Sequence, residues 1–388
     1  MNYRKNKLNG DELSLLGFGC MRFPKDEAET ERLILHAIEN GVNYFDTAYI
    51  YPGSEAALGR ALSKHGRRGD VKIATKIPHY FVKKSEDLDK IFNKQLERLK
   101  TDYIDYYFIH MLTDVNVWKR LTDLGIKEWI DARKAEGAIR NIGFSYHGGR
   151  EDFINLCGIY GWEFCMIQYN YMDENNLAGT SGLIHAAGAM PVMVMEPLKG
   201  GILVNNLPKD AINAFGTAHI KRSPAEWALR WVFSRPEVTC VLSGMSTMGM
   251  LEENIKAASA SDAGEFTASD AEVISRVKQA LVQTVRVPCT ACSYCMPCPR
   301  NVDIPTSFFC YNDIAVSGRM RALSNYMSQT SLRSVPQTAS LCNGCGKCET
   351  LCPQKIEIRR ELKKTAEAFE PFYMKPVLYL AKKFMKLK

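Results

Sequence analysis

Asp46 and Tyr51 stand five residues apart, directly after the short apolar run that begins at Val42. A carboxylate and a phenol in that order can order a loop. Placed at the end of a buried strand, they can also form half of a proton-transfer site. Two further strand-like runs end in groups of the same kind. Val71-Lys72-Ile73-Ala74-Thr75-Lys76 finishes on an ammonium, and Ile104-Asp105-Tyr106-Tyr107-Phe108-Ile109-His110 on an imidazole. Singly, each is a snorkelling lysine or a satisfied histidine. At three successive strand ends the four groups converge, provided the strands are parallel and close into a barrel. An ammonium beside a phenol favours the phenolate, and a carboxylate holds the ammonium in place. Tyr51 could then give a proton to a carbonyl oxygen as hydride reaches the carbon, with His110 orienting that oxygen.

The pattern from Leu13 to about Gln283 supplies such a barrel. Candidate strands are Leu15–Phe18, Val42–Asp46, Val71–Lys76, Ile104–His110, Ile139–Ser145, Cys165–Tyr169, Pro191–Met195 and Val238–Ser243. Between them amphipathic spacing predicts helices at Glu29–Asn40, Glu55–Lys64, Glu86–Leu99, Ile126–Glu136, Leu177–Ala189, Ala225–Ser234 and Met250–Ala258. Ser223 is placed to cap the helix near Ala225, with Pro224 in its first turn. Eight strands alternating with helices over about 270 residues fit a (β/α)8 TIM barrel. The first strand could instead belong to a hairpin on the barrel floor. An open doubly wound sheet is the weaker alternative, since no Gly-x-Gly-x-x-Gly follows an early strand.

These residues resemble the catalytic tetrad of the aldo-keto reductases, a (β/α)8 family that reduces carbonyls with a nicotinamide cofactor. The resemblance spans roughly residues 1–285. It includes Gly17-Phe18-Gly19, the run Glu136-Gly137-Ala138-Ile139-Arg140-Asn141-Ile142-Gly143-Phe144-Ser145, Gln168, Asn170 and Glu253-Asn254. It implies Asp46, Tyr51, Lys76 and His110 as catalytic residues. Ser145, Gln168 and Asn170 would lie at the nicotinamide end, Met195 and Gly244 beside the cofactor, and Glu253 and Asn254 at the adenosine end. The chain departs from the family at three places. Met195-Glu196-Pro197-Leu198 stands where an aromatic ring often stacks on nicotinamide, Ser145-Tyr146 replaces a serine–asparagine pair, and Ser243–Met250 has no basic residue for a 2′-phosphate. The cofactor is therefore NADP or NAD.

Thirteen cysteines change the picture beyond residue 285, because eight fall in two runs. Cys342-x-x-Cys345-x-x-Cys348-x-x-x-Cys352-Pro353 has the spacing of bacterial ferredoxins that ligate [4Fe–4S] clusters. Cys289-x-x-Cys292-x-x-Cys295-x-x-Cys298-Pro299 is one residue shorter. Zinc is the simpler reading of paired Cys-x-x-Cys, but two runs of four, each ending Cys-Pro, point to iron–sulfur. In two-cluster ferredoxins the fourth cysteine of each run serves the other cluster. That rule gives one set of Cys289, Cys292, Cys295 and Cys352, and another of Cys342, Cys345, Cys348 and Cys298, with Cys310 a less favoured substitute. Cys20, Cys157, Cys165 and Cys240 read as core. The chain is thus similar to aldo-keto reductases with a C-terminal ferredoxin-type domain. The expected domains are a barrel over 1–285 and a small, mainly helical ferredoxin-like domain over 286–388.

The rest of the chain narrows the alternatives. A charged fraction of 24% and a hydrophobic fraction of 46% are those of a globular protein. A net charge of +7 without a basic, aromatic-rich run argues against nucleic acid. The polar start Met1-Asn2-Tyr3-Arg4-Lys5 argues for a cytoplasmic protein, and no apolar run reaches the length of a spanning helix. Beyond Val285 a helical stretch is expected at Ser307–Ser328 and two helices from Glu357 on. The basic amphipathic end Val377–Lys388 is expected to pack on its own protein rather than on a membrane. The function expected is reduction of a small-molecule aldehyde or ketone, or the reverse. The alternative is an electron-transfer protein whose clusters serve a redox partner, with the barrel as a docking or cofactor platform.

Overall fold

The structure is a computed structural model that describes residues 1–388 except 206, 283–285, 290, 292, 353, 372, 375, 377–379 and 382–388. Two short strands, β1 (Tyr3–Lys5) and β2 (Glu12–Ser14), form an antiparallel pair. Eight parallel strands follow: β3 (Leu16–Gly19), β4 (Tyr44–Asp46), β5 (Lys72–Pro78), β6 (Ile104–His110), β7 (Ile139–Tyr146), β8 (Phe164–Gln168), β9 (Val192–Met195) and β10 (Val238–Ser243). They close in the order β10-β3-β4-β5-β6-β7-β8-β9, so β10 pairs with β3 across the seam. All eight strands expected from sequence are barrel strands.

The β1–β2 pair is an additional floor that the hydrophobic pattern does not reveal. Its three-residue strands are too short for an alternation, and β1 is largely exposed. Arg4 donates to the carbonyls of Phe233, Arg235 and Val238 at the foot of β10. Asn6 and Asp11 hold the Tyr106 hydroxyl at 3.1 and 2.9 Å. Leu13 enters the barrel interior with Tyr44, Tyr106, Phe108, Phe164 and Met166. The interior is therefore filled with side chains, as this fold requires, and leaves chemistry to the strand ends.

Helices cover the outside. Ser223 caps Pro224–Phe233 by accepting from the Glu226 amide. Helices at Val115–Asp123, Arg150–Gly158, Lys209–Gly216 and Ala268–Val282 add to those expected. The barrel core ends with Leu281, and a separate apolar core starts at Val287, built on Val302, Ile304, Phe308, Tyr326 and Leu362. The single stretch expected at Ser307–Ser328 is two helices, Ile304–Ser317 and Arg319–Tyr326, because Gly318 breaks the run at φ 78°. One helix of the tail, Ile358–Phe369, is formed, whereas the amphipathic end lies mostly outside the described residues. Among the described residues no helix is long and apolar enough to cross a membrane.

Candidate active site

Asp46 closes β4, Lys76 lies near the end of β5, and His110 closes β6. Parallel strands put all three at one mouth, and the loop after β4 brings Tyr51 over them. The Lys76 ammonium is 2% exposed and donates to Asp46 Oδ1 at 2.5 Å and to the Thr47 carbonyl at 2.7 Å. It lies 5.4 Å from the centre of the Tyr51 ring, which meets the His110 ring edge-on at 6.1 Å. Asp46 Oδ2 and His110 Nδ1 are buried without a protein partner. The Tyr51 hydroxyl has none among the described residues either. Orphaned polar atoms in a buried cluster are costly unless a ligand meets them.

Burial sets the proton affinities here. It raises the Asp46 carboxyl above its usual range, against the pull of Lys76. It also raises the Tyr51 phenol, with the charges of Asp46 and Glu196 adding to the effect. This reverses the shift expected from the ammonium alone: burial and the neighbouring carboxylates outweigh the lysine. His110 is pushed down by burial, then by Lys76 and by two histidines absent from the sequence reading, His147 and His79. Burial also lowers His147, and it takes His79 to about 3 with help from Arg120.

Three imidazoles whose proton affinity the fold lowers have a consequence for stability. Below about pH 6.5 the unfolded chain takes up protons that the native state refuses, so acidification destabilises the protein. For His79, held near 3, the cost is about 1.4 kcal/mol per pH unit there, and His110 and His147 act in the same direction. Urea unfolding is expected to show lower stability at pH 5 than at pH 7, with the loss smaller by about 2 kcal/mol in His79→Asn.

The other residues expected at the site line the far side of the mouth. Ser145 near the end of β7 accepts from the Met111 amide at 2.9 Å. Gln168 at the end of β8 donates to Asp173 at 3.0 Å. Asn170 donates to Asp173 at 2.9 Å and to the Glu196 carbonyl at 3.1 Å, and accepts from the amides of Met172 and Asp173, so its side chain is fully engaged in its own loop. Met195 ends β9 against the interior layer, and Gly244 follows β10. Asn254 is buried and donates to Ser243 at 2.9 Å, which ties its helix to β10. Glu253 is exposed and bonded to Ser223.

A roof over this half of the mouth comes from the cysteine-rich part of the chain. Lys199, buried, pairs with Asp173 at 2.9 Å and with Asp313 at 3.4 Å. Arg321 reaches Glu196 at 2.5 Å, Arg333 pairs with Asp152, and Ser334 donates to Asp114 at 2.8 Å. Glu196 and Lys199 have φ of 59° and 48°, conformations that non-glycine residues seldom hold. Gly200 follows at φ 66°, and a Cβ there would lie 1.7 Å from the Arg321 guanidinium. A side chain there would have to displace that guanidinium, and the positive φ favours glycine. No local motif marked Lys199, Asp313 or Arg321; each is a single charge whose partner is distant in sequence.

The family model for the aldo/keto reductases matches residues 15–277, about two thirds of the chain. The chain belongs to the aldo/keto reductase family. An aldo-keto reductase of Mycolicibacterium vanbaalenii is 30% identical over 258 residues, covering 64% of this chain and 84% of that protein. The uncharacterized oxidoreductase YqkF of Bacillus subtilis is 29% identical over 293 residues, 66% of this chain and 92% of the relative. The solved holo form of aldo-keto reductase AKR11C1 from Bacillus halodurans superposes with a TM-score of 0.61 at 26% identity, covering 71% of this chain and 96% of that one. The shared length is that of the barrel.

Unlike those matches, the reductase's second part fits a 4Fe-4S dicluster domain, over residues 288–357. Its cysteines line two cavities. Cys298, Cys342, Cys345 and Cys348 surround one of about 100 Å³, which Cys295 also touches. Cys289, Cys295 and Cys352 line the other, walled by Ile304, Phe308, Ile356 and Ile358. The fourth cysteine of each run thus reaches into the other run's cavity. Cys292 lies outside the described residues. Among the described residues no three His, Cys, Asp or Glu side chains gather as a single metal ion would need. Cys310 is buried in the apolar core instead.

Proposed function

We propose that this reductase uses NADH or NADPH to reduce an aldehyde or ketone at the mouth of the barrel, and that it carries two [4Fe–4S] clusters in a domain beginning near residue 286. The observation that carries the reading is the buried Asp46–Lys76 pair beneath an unpartnered Tyr51 hydroxyl and a neutral His110. The nicotinamide, when bound, supplies the hydride. Tyr51 holds the matching proton: burial keeps its phenol protonated, which is the form that reduction consumes. Lys76, fixed by Asp46 and Thr47, presents positive charge to the phenolate left behind. His110 can donate from a ring nitrogen to the carbonyl oxygen and so orient it. Ser145 and Gln168 would hold the carboxamide end, Gln168 only after loosening from Asp173. Asn170 would keep the loop shaped, and Met195 would pack where an aromatic ring could stack.

For the clusters, the cavity linings support the crossing, Cys298 with Cys342, Cys345 and Cys348, and Cys352 with Cys289 and Cys295; Cys292 completes the second set by its spacing alone. Cys298→Ser is expected to lower iron from roughly eight atoms per chain toward four. Iron and sulfide analysis reads this directly, and unchanged iron would mean that Cys298 is not a ligand. The reaction itself is tested by anaerobic oxidation of NADH and NADPH against a panel of aldehydes and ketones. Equimolar alcohol is the expected product. Cluster-loaded protein that turns over no carbonyl would leave the electron-transfer role alone standing.

A further inference from the structure

The two cysteine-lined cavities are not equivalent. The one served by Cys289, Cys295 and Cys352 is walled by Ile304 and Phe308 of the helix Ile304–Ser317, and by Ile356 and Ile358 at the start of the helix Ile358–Phe369. The same helix carries Phe309, whose ring lies 4.7 Å from the Lys199 ammonium, and Asp313, which pairs with Lys199 at the barrel mouth. Its helical wall thus leads to the barrel mouth. The other has the more exposed lining. Cys345 on its edge is exposed, and Leu351, a lining residue, is 57% exposed.

Charge around that opening is one-sided. Between Cys342 and Lys364 six lysines and arginines stand against three glutamates, and Arg300 adds a further cation at the cavity. All three glutamates are taken up: Glu349 by Arg359, Glu357 by Arg360, and Glu361 by Arg360 and Lys364. Arg300, Lys347 and Lys363 are exposed and have no acidic partner among the described residues. Arg300 and Lys347 line the cavity with Arg359, and Lys363 lies one helical turn beyond Arg359. An exposed apolar residue beside a cysteine-lined redox site, ringed by unpaired cations, has the make-up of a small transient interface. There the apolar centre sets contact and the charged rim sets encounter rate.

We propose that the face formed by Arg300, Cys345, Lys347, Leu351, Arg359 and Lys363 docks an acidic one-electron carrier protein. The cluster behind Cys345 is the port for its electron, and the inner cluster is the relay toward the barrel. This rests on the two-cluster reading above. The step is electron transfer alone: the carrier's reduced centre loses one electron, the outer cluster gains it, and no bond or proton moves.

The test uses the whole cluster-loaded protein, with reduced plant-type ferredoxin as the acidic carrier and methyl viologen as a small donor that needs no docking face. Stopped-flow bleaching of the iron–sulfur absorbance is read for each donor. The ferredoxin rate is expected to fall about tenfold or more between low and high salt, while the viologen rate changes far less. In Lys347→Glu/Lys363→Glu the ferredoxin-to-viologen rate ratio is expected to drop by a similar factor, counted per bound iron. A ferredoxin rate insensitive to both salt and charge reversal would overturn the docking face while leaving the clusters standing. Reconstituted protein without iron would overturn the cluster reading itself, and the port with it.

Discussion

Tyr51→Phe is expected to lower kcat for carbonyl reduction by about 10²–10⁴, the range lost when a positioned general acid is removed. The substitution deletes one oxygen. The ring keeps its edge-on contact with His110 and its place beside the Lys76 ammonium, so fold and cofactor affinity should survive. Iron content should be untouched, because no cysteine-lined cavity includes Tyr51. In the wild type, the raised proton affinity of the phenol keeps it in the acid form throughout the neutral range. The rate of reduction should therefore stay level from about pH 7 to pH 9 rather than fall as Tyr51 titrates. Steady-state kinetics over that range check both points. Full activity in Tyr51→Phe would remove the phenol from the mechanism.

Lys76→Met is the second large effect, on stability as well as on rate. Among the described residues the ammonium is the only cation paired with Asp46, and both groups are almost wholly buried. Removing one partner leaves a carboxylate in a low-dielectric site, which costs about 3–5 kcal/mol. Urea denaturation of the barrel is the readout. In the double variant Lys76→Met/Asp46→Asn, with no charge left unpaired, a large part of that loss should return. If the single variant were as stable as the wild type, the buried pair would not be holding the site together.

How much of this was legible beforehand depended on how local each signal was. The bounds of β6 follow from its seven consecutive buried residues, and the site follows from strand ends, because a closed parallel barrel places all of them on one rim. The five-residue step from Asp46 to Tyr51 survives intact for the same reason. The crossed cysteine sets are an expectation from a spacing rule, and Cys298 and Cys352 each line the cavity to which that rule assigns them. The β1–β2 floor is invisible because three residues cannot show a period. The roof is invisible because its ion pairs span the chain: Arg321 and Glu196 are 125 positions apart, and nothing near either names the other. The sign of the Tyr51 shift is not legible, because a sequence shows which charges are neighbours but not how much water the fold removes. Here the removal of water outweighs the ammonium.

That roof bears on how the two halves work together. Asp313 and Arg321 belong to the cluster-bearing part, yet they fix Lys199 and Glu196 around the strained turn at the end of β9. The barrel mouth in this chain is therefore built by both parts.

The central claim is hydride delivery to a carbonyl with Tyr51 supplying the proton. A single-turnover experiment addresses it most directly: anaerobic, cluster-loaded protein is mixed with nicotinamide carrying deuterium at the transferring position and with the best aldehyde of the panel. The alcohol is quenched and its mass measured over time. The account predicts one deuterium at the carbinol carbon, formed at the rate at which nicotinamide absorbance is lost, and formed at least about a hundredfold more slowly in Tyr51→Phe. Nicotinamide oxidised with bleaching of the clusters and no deuterated alcohol would contradict it.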